Sequence, residues 1–231
     1  MSIDSYSYVF GGLDSVPLFS AASSGGGSVF AVAEGTEAGS AETLINRLEE
    51  LGRTGVSLKE SDISSVFEKI HTVLQARNAV VSAAGAFCSE NDLHIFNIGN
   101  ARAIVFKQGY MITHSEDHSE AYRAYKHAAD PETAYDQIRS QTKRQELWKV
   151  LGFGKDGKPQ FYKALPLEKK MVTLLCTEPF WRYLSVMEME LDYRKSAGPE
   201  EWLKIMVRRV LMKANSELDN ENFAVSVFMK E

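Results

Sequence analysis

The 231-residue sequence predicts an α+β fold in which antiparallel β-structure is covered by helices. Three observations carry that class. Short β-branched and aromatic stretches follow one another through tight turns, amphipathic helical stretches come in separate pairs, and nowhere do strand and helix alternate regularly as a βαβ fold requires.

Taken in order, Tyr6 to Phe10 and Ser28 to Ala33 read as strands, and Ser23 to Gly27 (SSGGG) reads as part of the loop between them. Ala38 to Leu51 places Leu44, Leu48 and Leu51 at helical spacing before the stop at Gly52, and Ser61 to Gln75 does the same with Ile63, Phe67, Ile70 and Leu74. Ala79 to Phe87, Leu93 to Ile98, Arg102 to Phe106 and Met111 to Thr113 are short apolar runs that predict an antiparallel meander. From Glu116 to Val150 charges interleave with Tyr122, Tyr125, Tyr135 and Trp148, and Asp130-Pro131 supplies a helix cap followed by proline, so two helices are expected there. Gln160 to Ala164 and Met171 to Cys176 return to strand, Pro199 to Ala214 is helical, and Asn222 to Met229 closes the chain as a strand.

Composition narrows the function. The chain has 26 Lys and Arg against 31 Asp and Glu, a net charge of −5, which leaves no cationic excess to neutralise a phosphate backbone and argues against nucleic acid as a partner. The longest apolar run, Ala79 to Cys88, is interrupted by Ser82 and falls short of the ~20 residues of a membrane helix. The first residues, MSIDSYSY, lack the basic start and apolar core of a secretion signal, so no membrane association and a cytoplasmic location are expected. Cys88 and Cys176 lie in strand-like runs outside any metal-ligand spacing and read as reduced core thiols.

Some patterns invite chemistry that their context refuses. Gly152 to Gly157 (GFGKDG) matches a dinucleotide fingerprint by letter, but it precedes Lys158-Pro159 and a strand instead of opening a helix, and so reads as a turn. His114 and His118 have the spacing of a zinc pair only on a helix, and Thr113 to Ser119 reads as a loop. Ser115, Asp117 and His118 are too close in sequence for a hydrolytic triad, and no GxSxG elbow exists.

Seven segments in order are similar to the metal-dependent protein serine/threonine phosphatases of type 2C, the PPM family. Val29 to Gly35 (VFAVAEG) resembles FAVADG, and Ala38 to Glu42 the small-residue start of the following helix. Leu93 to Ala103 (LHIFNIGNARA) resembles LYVAHVGDSRA, and Thr113 to Ser119 the TxDHS loop. Leu147 to Gly152 stands for LTRALG, Leu174 to Glu178 (LLCTE) for LLCSDG, and Glu221 to Val225 (ENFAV) for DNITV. The resemblance implies one PPM-type domain over residues 1–231, built as two stacked antiparallel sheets flanked by helices, with a helical flap insertion at about 117–150.

For chemistry, the resemblance implies a pair of Mn²⁺ or Mg²⁺ ions between the sheets that activate water toward a phosphoserine or phosphothreonine. The expected ligands are Glu34, the Gly35 carbonyl, Glu178 and Glu221, with Asp14 and Asn100 as candidates for groups one layer further out. The family has aspartate at all three glutamate positions and at Asn100, and glycine at Pro179; its phosphate-gripping arginine has no counterpart near Asp14. Arg102 holds the family's GDSR arginine position, where its expected job is to buttress the loop, and no residue is assigned as catalytic. Two functions follow from the resemblance. One is a slow, metal-dependent phosphatase of bacterial type with a glutamate-built centre. The alternative is a pseudophosphatase that binds a phosphorylated or regulatory protein through its flap, where Tyr122 and Tyr125 are the residues to alter.

Overall fold

Alternation of side chains along the strands decides the architecture seen in a computed structural model of the chain. It describes residues 3–11, 18–24, 27–54, 57–89, 91–125, 131–214 and 222–230. Asp14 and Glu221 lie outside the described residues.

One sheet orders its strands β1 (Ile3–Phe10), β11 (Phe223–Lys230), β10 (Met171–Cys176), β6 (Arg102–Lys107) and β7 (Tyr110–His114). The other runs β2 (Leu18–Ser24), β3 (Gly27–Gly35), β4 (Val81–Cys88), β5 (Asp92–Ile98) and β8 (Gln160–Phe161), and β9 (Leu165–Pro166) also pairs with β5. Every pairing is antiparallel.

Phe30, Val32, Ala84 and Ala86 of one sheet meet Ala103, Val105, Leu175, Ala224 and Phe228 of the other in a buried layer between them. The Phe30 and Phe228 rings stack there at 4.1 Å. The alternate residues point outward. Val29, Ala31, Ala33 and Phe87 are covered by α1 (Ser40–Gly52) and α2 (Glu60–Arg77), while Ile104, Phe106, Leu174, Val225 and Val227 are covered by α6 (Val186–Lys195) and α7 (Pro199–Ala214). Strands buried on both faces explain why their sequences read as unbroken apolar runs with little polar alternation.

The helices end where local chemistry ends them. The Asp62 carboxylate accepts the Lys59 backbone N–H at the start of α2, and Asn78 closes that helix at φ +55°. Ser185 and Glu188 form a capping box at the start of α6.

Three expectations change. The segment before Ser28 is not only loop, because Ser23 and Ser24 end β2 and pair with Ser28 and Gly27 in a tight hairpin. The expected meander is split, since the chain leaves one sheet at Ile98 and enters the other at Arg102. The connecting Gly99 has φ +82°, and a Cβ there would fall 2.2 Å from the Ser82 hydroxyl, so only glycine makes this crossing without strain. Finally, α5 (Glu178–Trp181) and α6 occupy a stretch for which no helix is predicted. The flap holds α3 (Glu120–Tyr125), α4 (Pro131–Arg139) and a 3₁₀ turn at Thr142–Gln145. Among the described residues no helix is long and apolar enough to cross a membrane.

Candidate functional site

Three strand ends and the flap converge on a small polar cleft of about 170 Å³, lined by Glu34, Gly35, Thr36, Ser82, Asn100, Gln145 and Glu178 among others. Glu34 and Gly35 end β3, Asn100 lies in the crossing from β5 to β6, and Glu178 follows β10. Thr177 fixes that last position, because it exchanges hydrogen bonds with Ala224 of β11: its N–H donates at 3.0 Å and its hydroxyl accepts at 3.1 Å. Four of the residues singled out from sequence thus share one cleft. A larger groove of about 710 Å³ between β1 and α7, lined by Tyr6, Tyr8, Leu203 and Val207, contains none of them.

Glu178 is buried and already matched by cations. The Arg144 Nε donates to its Oε1 at 2.5 Å, and Arg182 Nη1 lies 3.6 Å from its Oε2. Side-chain exposure is 5% for Glu178 and 17% for Arg144, so this pair is poorly screened by water. Arg144 belongs to the 3₁₀ turn of the flap and is held in turn. Its backbone carbonyl accepts from the Asn100 side-chain amide at 3.2 Å, and its Nη1 donates to the Gln141 carbonyl at 2.7 Å. Asn100 therefore acts as a donor toward the flap, a role that the carboxylate of an ionised aspartate could not fill.

Beneath the cleft lies a second, fully buried charge. Arg102 makes two hydrogen bonds to Asp117, at 2.8 and 2.6 Å, and its guanidinium is sandwiched between the rings of Trp181 at 3.4 Å and Tyr135 at 3.9 Å. Burial opposes the charge, but Asp117 outweighs it, and Arg102 holds its proton more tightly than a free arginine. Pro179 becomes intelligible here. It stands second in the short helix α5, whose last residue is Trp181, and the Trp181 indole N–H donates to the Asn100 carbonyl at 2.8 Å.

The loop from Ser115 to Ser119 is pinned from both sheets. Asn97 donates to the Glu116 carbonyl at 2.8 Å, and the Tyr162 hydroxyl accepts the Glu116 N–H at 2.7 Å. His118 Nδ1 accepts the Gly99 N–H, which leaves the ring proton on Nε2 to meet Gln160 at 2.9 Å. Burial lowers the pKa of both His118 and His114, and each is a structural neutral imidazole. The GFGKDG segment is a turn, with Gly152 at φ +91° donating its N–H to His71 on α2. Both thiols are buried; burial pushes Cys88 up to about 12 and raises Cys176 as well.

No protein-family model matches this sequence, and no curated protein matches it either. Solved structures do. The S. agalactiae serine/threonine phosphatase superposes with a TM-score of 0.83 at 11% identity over 100% of both chains. Serine/threonine phosphatase Stp1 from Staphylococcus aureus gives 0.81 at 14% identity, over 100% of this chain and 96% of that one. The fold is that of the type 2C serine/threonine phosphatases. A further match, the catalytic domain of the serine/threonine protein phosphatase PstP in complex with two manganese ions, has a TM-score of 0.72 at 14% identity over 98% of this chain and 97% of that one.

Among the described residues no group of three His, Cys, Asp or Glu is arranged to hold a metal ion. The described acids of the cleft are Glu34 and Glu178, and two arginines lie against the latter. A hard divalent ion takes several anionic oxygens, and the described residues of the cleft, with Glu178 already paired, do not supply that set. Sequence reasoning passed over Arg144 and Trp181, and named Tyr135 only among the flap aromatics. Arg144 carried no signal because the flap has no fixed register against the strands, whereas Pro179 next to Glu178 was visible as a departure from the family's glycine.

Proposed function

We propose that this chain is a pseudophosphatase: a type 2C fold that binds a phosphorylated or regulatory protein without Mn²⁺- or Mg²⁺-dependent hydrolysis. The observation that carries this is the buried contact of Arg144 with Glu178. A divalent ion bound to that carboxylate would have to compete with the Arg144 and Arg182 guanidiniums already paired with it and would be repelled by both. The missing phosphate-gripping arginine near Asp14 supports the same reading, since a bidentate guanidinium orients a phosphoryl group in a way that a metal does not replace.

A regulatory role has precedent in the fold. PppA, described as a key regulatory component of T6SS in Pseudomonas aeruginosa, superposes with a TM-score of 0.74 over 99% of this chain and 98% of that one, at 14% identity. The flap remains the proposed contact surface, but through its exposed Trp148; Tyr122 and Tyr125 pack against the helical core.

The test is hydrolysis of a phosphothreonine peptide with and without millimolar Mn²⁺, with Glu178→Ala as control. No manganese-dependent turnover in either protein is expected. Turnover that needs manganese and disappears in the variant would establish instead a slow phosphatase with a glutamate-built centre.

A further inference from the structure

We propose that the groove between β1 and α7 is a docking site for an extended peptide of another protein, apolar and acidic on one face, that adds as a strand to the free edge of β1. The groove shares no lining residue with the cleft, so the inference stands whatever chemistry the cleft performs. β1 ends its sheet, and among the described residues only β11 hydrogen-bonds the backbone of Ser5 to Tyr8. Alternate N–H and C=O groups of the strand therefore turn outward without a partner. The opposite edge is treated differently. There the Met111 N–H of β7 donates to the Glu190 carboxylate at 3.0 Å, and the neighbouring Gly109 carbonyl accepts from Arg194 at 3.3 Å, so side chains of α6 blunt it. Over Ser5 to Tyr8, β1 has neither such a cover among the described residues nor the lysine or proline that often protects an edge.

The groove reaches that open edge. Tyr6 packs on the core beneath α7, and Tyr8 stacks on Phe223 of the same core. Ser5 and Ser7 alternate with them and face the other side of the sheet. All four residues nevertheless line the groove, so it wraps round the backbone of β1 and does not lie on one face alone. Its other wall is the apolar stripe Leu203, Val207 and Leu211 of α7. A strand laid there pairs its main chain with β1 while every second side chain meets that wall.

Charge selects the occupant. Lys204 donates to Glu200 at 2.6 Å within the lining, whereas the exposed Arg208 has no hydrogen-bond or ion-pair partner among the described residues. On a chain of net charge −5 this lining carries two cations against one acid, and it is complementary to an acidic side chain. A second copy lacks that complementarity. Twofold pairing of two β1 edges would bring both α7 helices onto one face of the joined sheet, with Lys204 and Arg208 of each turned toward those of the other.

The experiment uses the full chain and a fluorescein-labelled synthetic octapeptide with leucine and glutamate alternating on one face and threonine on the other, read by fluorescence anisotropy. Micromolar binding is expected. Arg208→Glu should weaken it at least tenfold, and so should lysine in place of glutamate in the peptide. Arg208→Gln is the second variant if the reversed charge disturbs α7, and should shift affinity in the same direction. Hydrogen exchange read by mass spectrometry should show the amides of Ser5 to Tyr8 slowed in the complex, a change that a ligand resting on α7 alone would not produce. No binding below millimolar peptide, affinity unchanged in both folded variants, or unchanged exchange along β1 overturns the inference. A dimer of the unaltered protein in sedimentation that itself protects Ser5 to Tyr8 also overturns it, and assigns the groove to a second copy.

Discussion

Single side chains hold this cleft together, and Arg102 is the most constrained of them. It is wholly buried, paired bidentately with Asp117 and covered on both faces by aromatic rings. Breaking such a pair from one side strands the other charge in the interior. Arg102→Met should cost about 3–5 kcal/mol in urea denaturation, because Asp117 is left unpaired. A loss below about 1 kcal/mol would mean that Asp117 finds another partner or takes up a proton. The buried imidazoles make a pH prediction at the same scale. His114 and His118 have folded pKa values below their ordinary 6.5, chiefly through burial, so below that pH the unfolded chain binds protons that the folded chain refuses. Their contribution is complete above about pH 6.5 and is lost as pH falls toward the folded values. The thermal midpoint should therefore decline on acidification from pH 7 to 5, and less steeply in His118→Gln, whose amide oxygen can still accept from Gly99.

Elements explain what the sequence disclosed and what it withheld. Strands β3, β4, β6, β10 and β11 were legible because burial on both faces makes them continuous apolar runs, and α1, α2 and α7 because Leu44 and Leu48, Phe67 and Ile70, and Trp202 and Met206 fall on one face of each. Strand β2 was hidden because Ser23 and Ser24 have neither β-branching nor bulk, and it forms by pairing with β3. Helix α5 was hidden because four residues cannot show a period, and it is held by tertiary contacts, Trp181 on Asn100 and Arg102 and Phe180 on Phe223. The acids Glu34 and Glu178 and the position of Asn100 could be named from sequence; their electrostatics could not, since that depends on which flap residue arrives opposite them. The crossing at Gly99 gives a test at this level. Gly99→Ala must hold an L-residue at φ +82° and push on Ser82, and should cost at least about 1–2 kcal/mol by denaturant titration. Stability equal to the parent would show that the crossing can be rebuilt.

Across the whole molecule the two sheets are joined by a layer whose best-defined contact is Phe30 on Phe228. Phe228→Ala should lower stability by about 3–5 kcal/mol, while substitution of the exposed Tyr110 should stay within about 0.5 kcal/mol. That contrast, read from urea midpoints, separates the inter-sheet core from the sheet edge. The same architecture carries the functional argument: a scaffold shared over its full length with known phosphatases sets Glu34 and Glu178 on one cleft and pairs Glu178 with a flap arginine. The most direct measurement is a crystal structure of the unaltered protein grown in millimolar MnCl₂, with anomalous diffraction recorded at the manganese edge. The account predicts Arg144 on Glu178 and no manganese peak at the cleft. A manganese peak between Glu34 and Glu178, with Arg144 displaced, would contradict it.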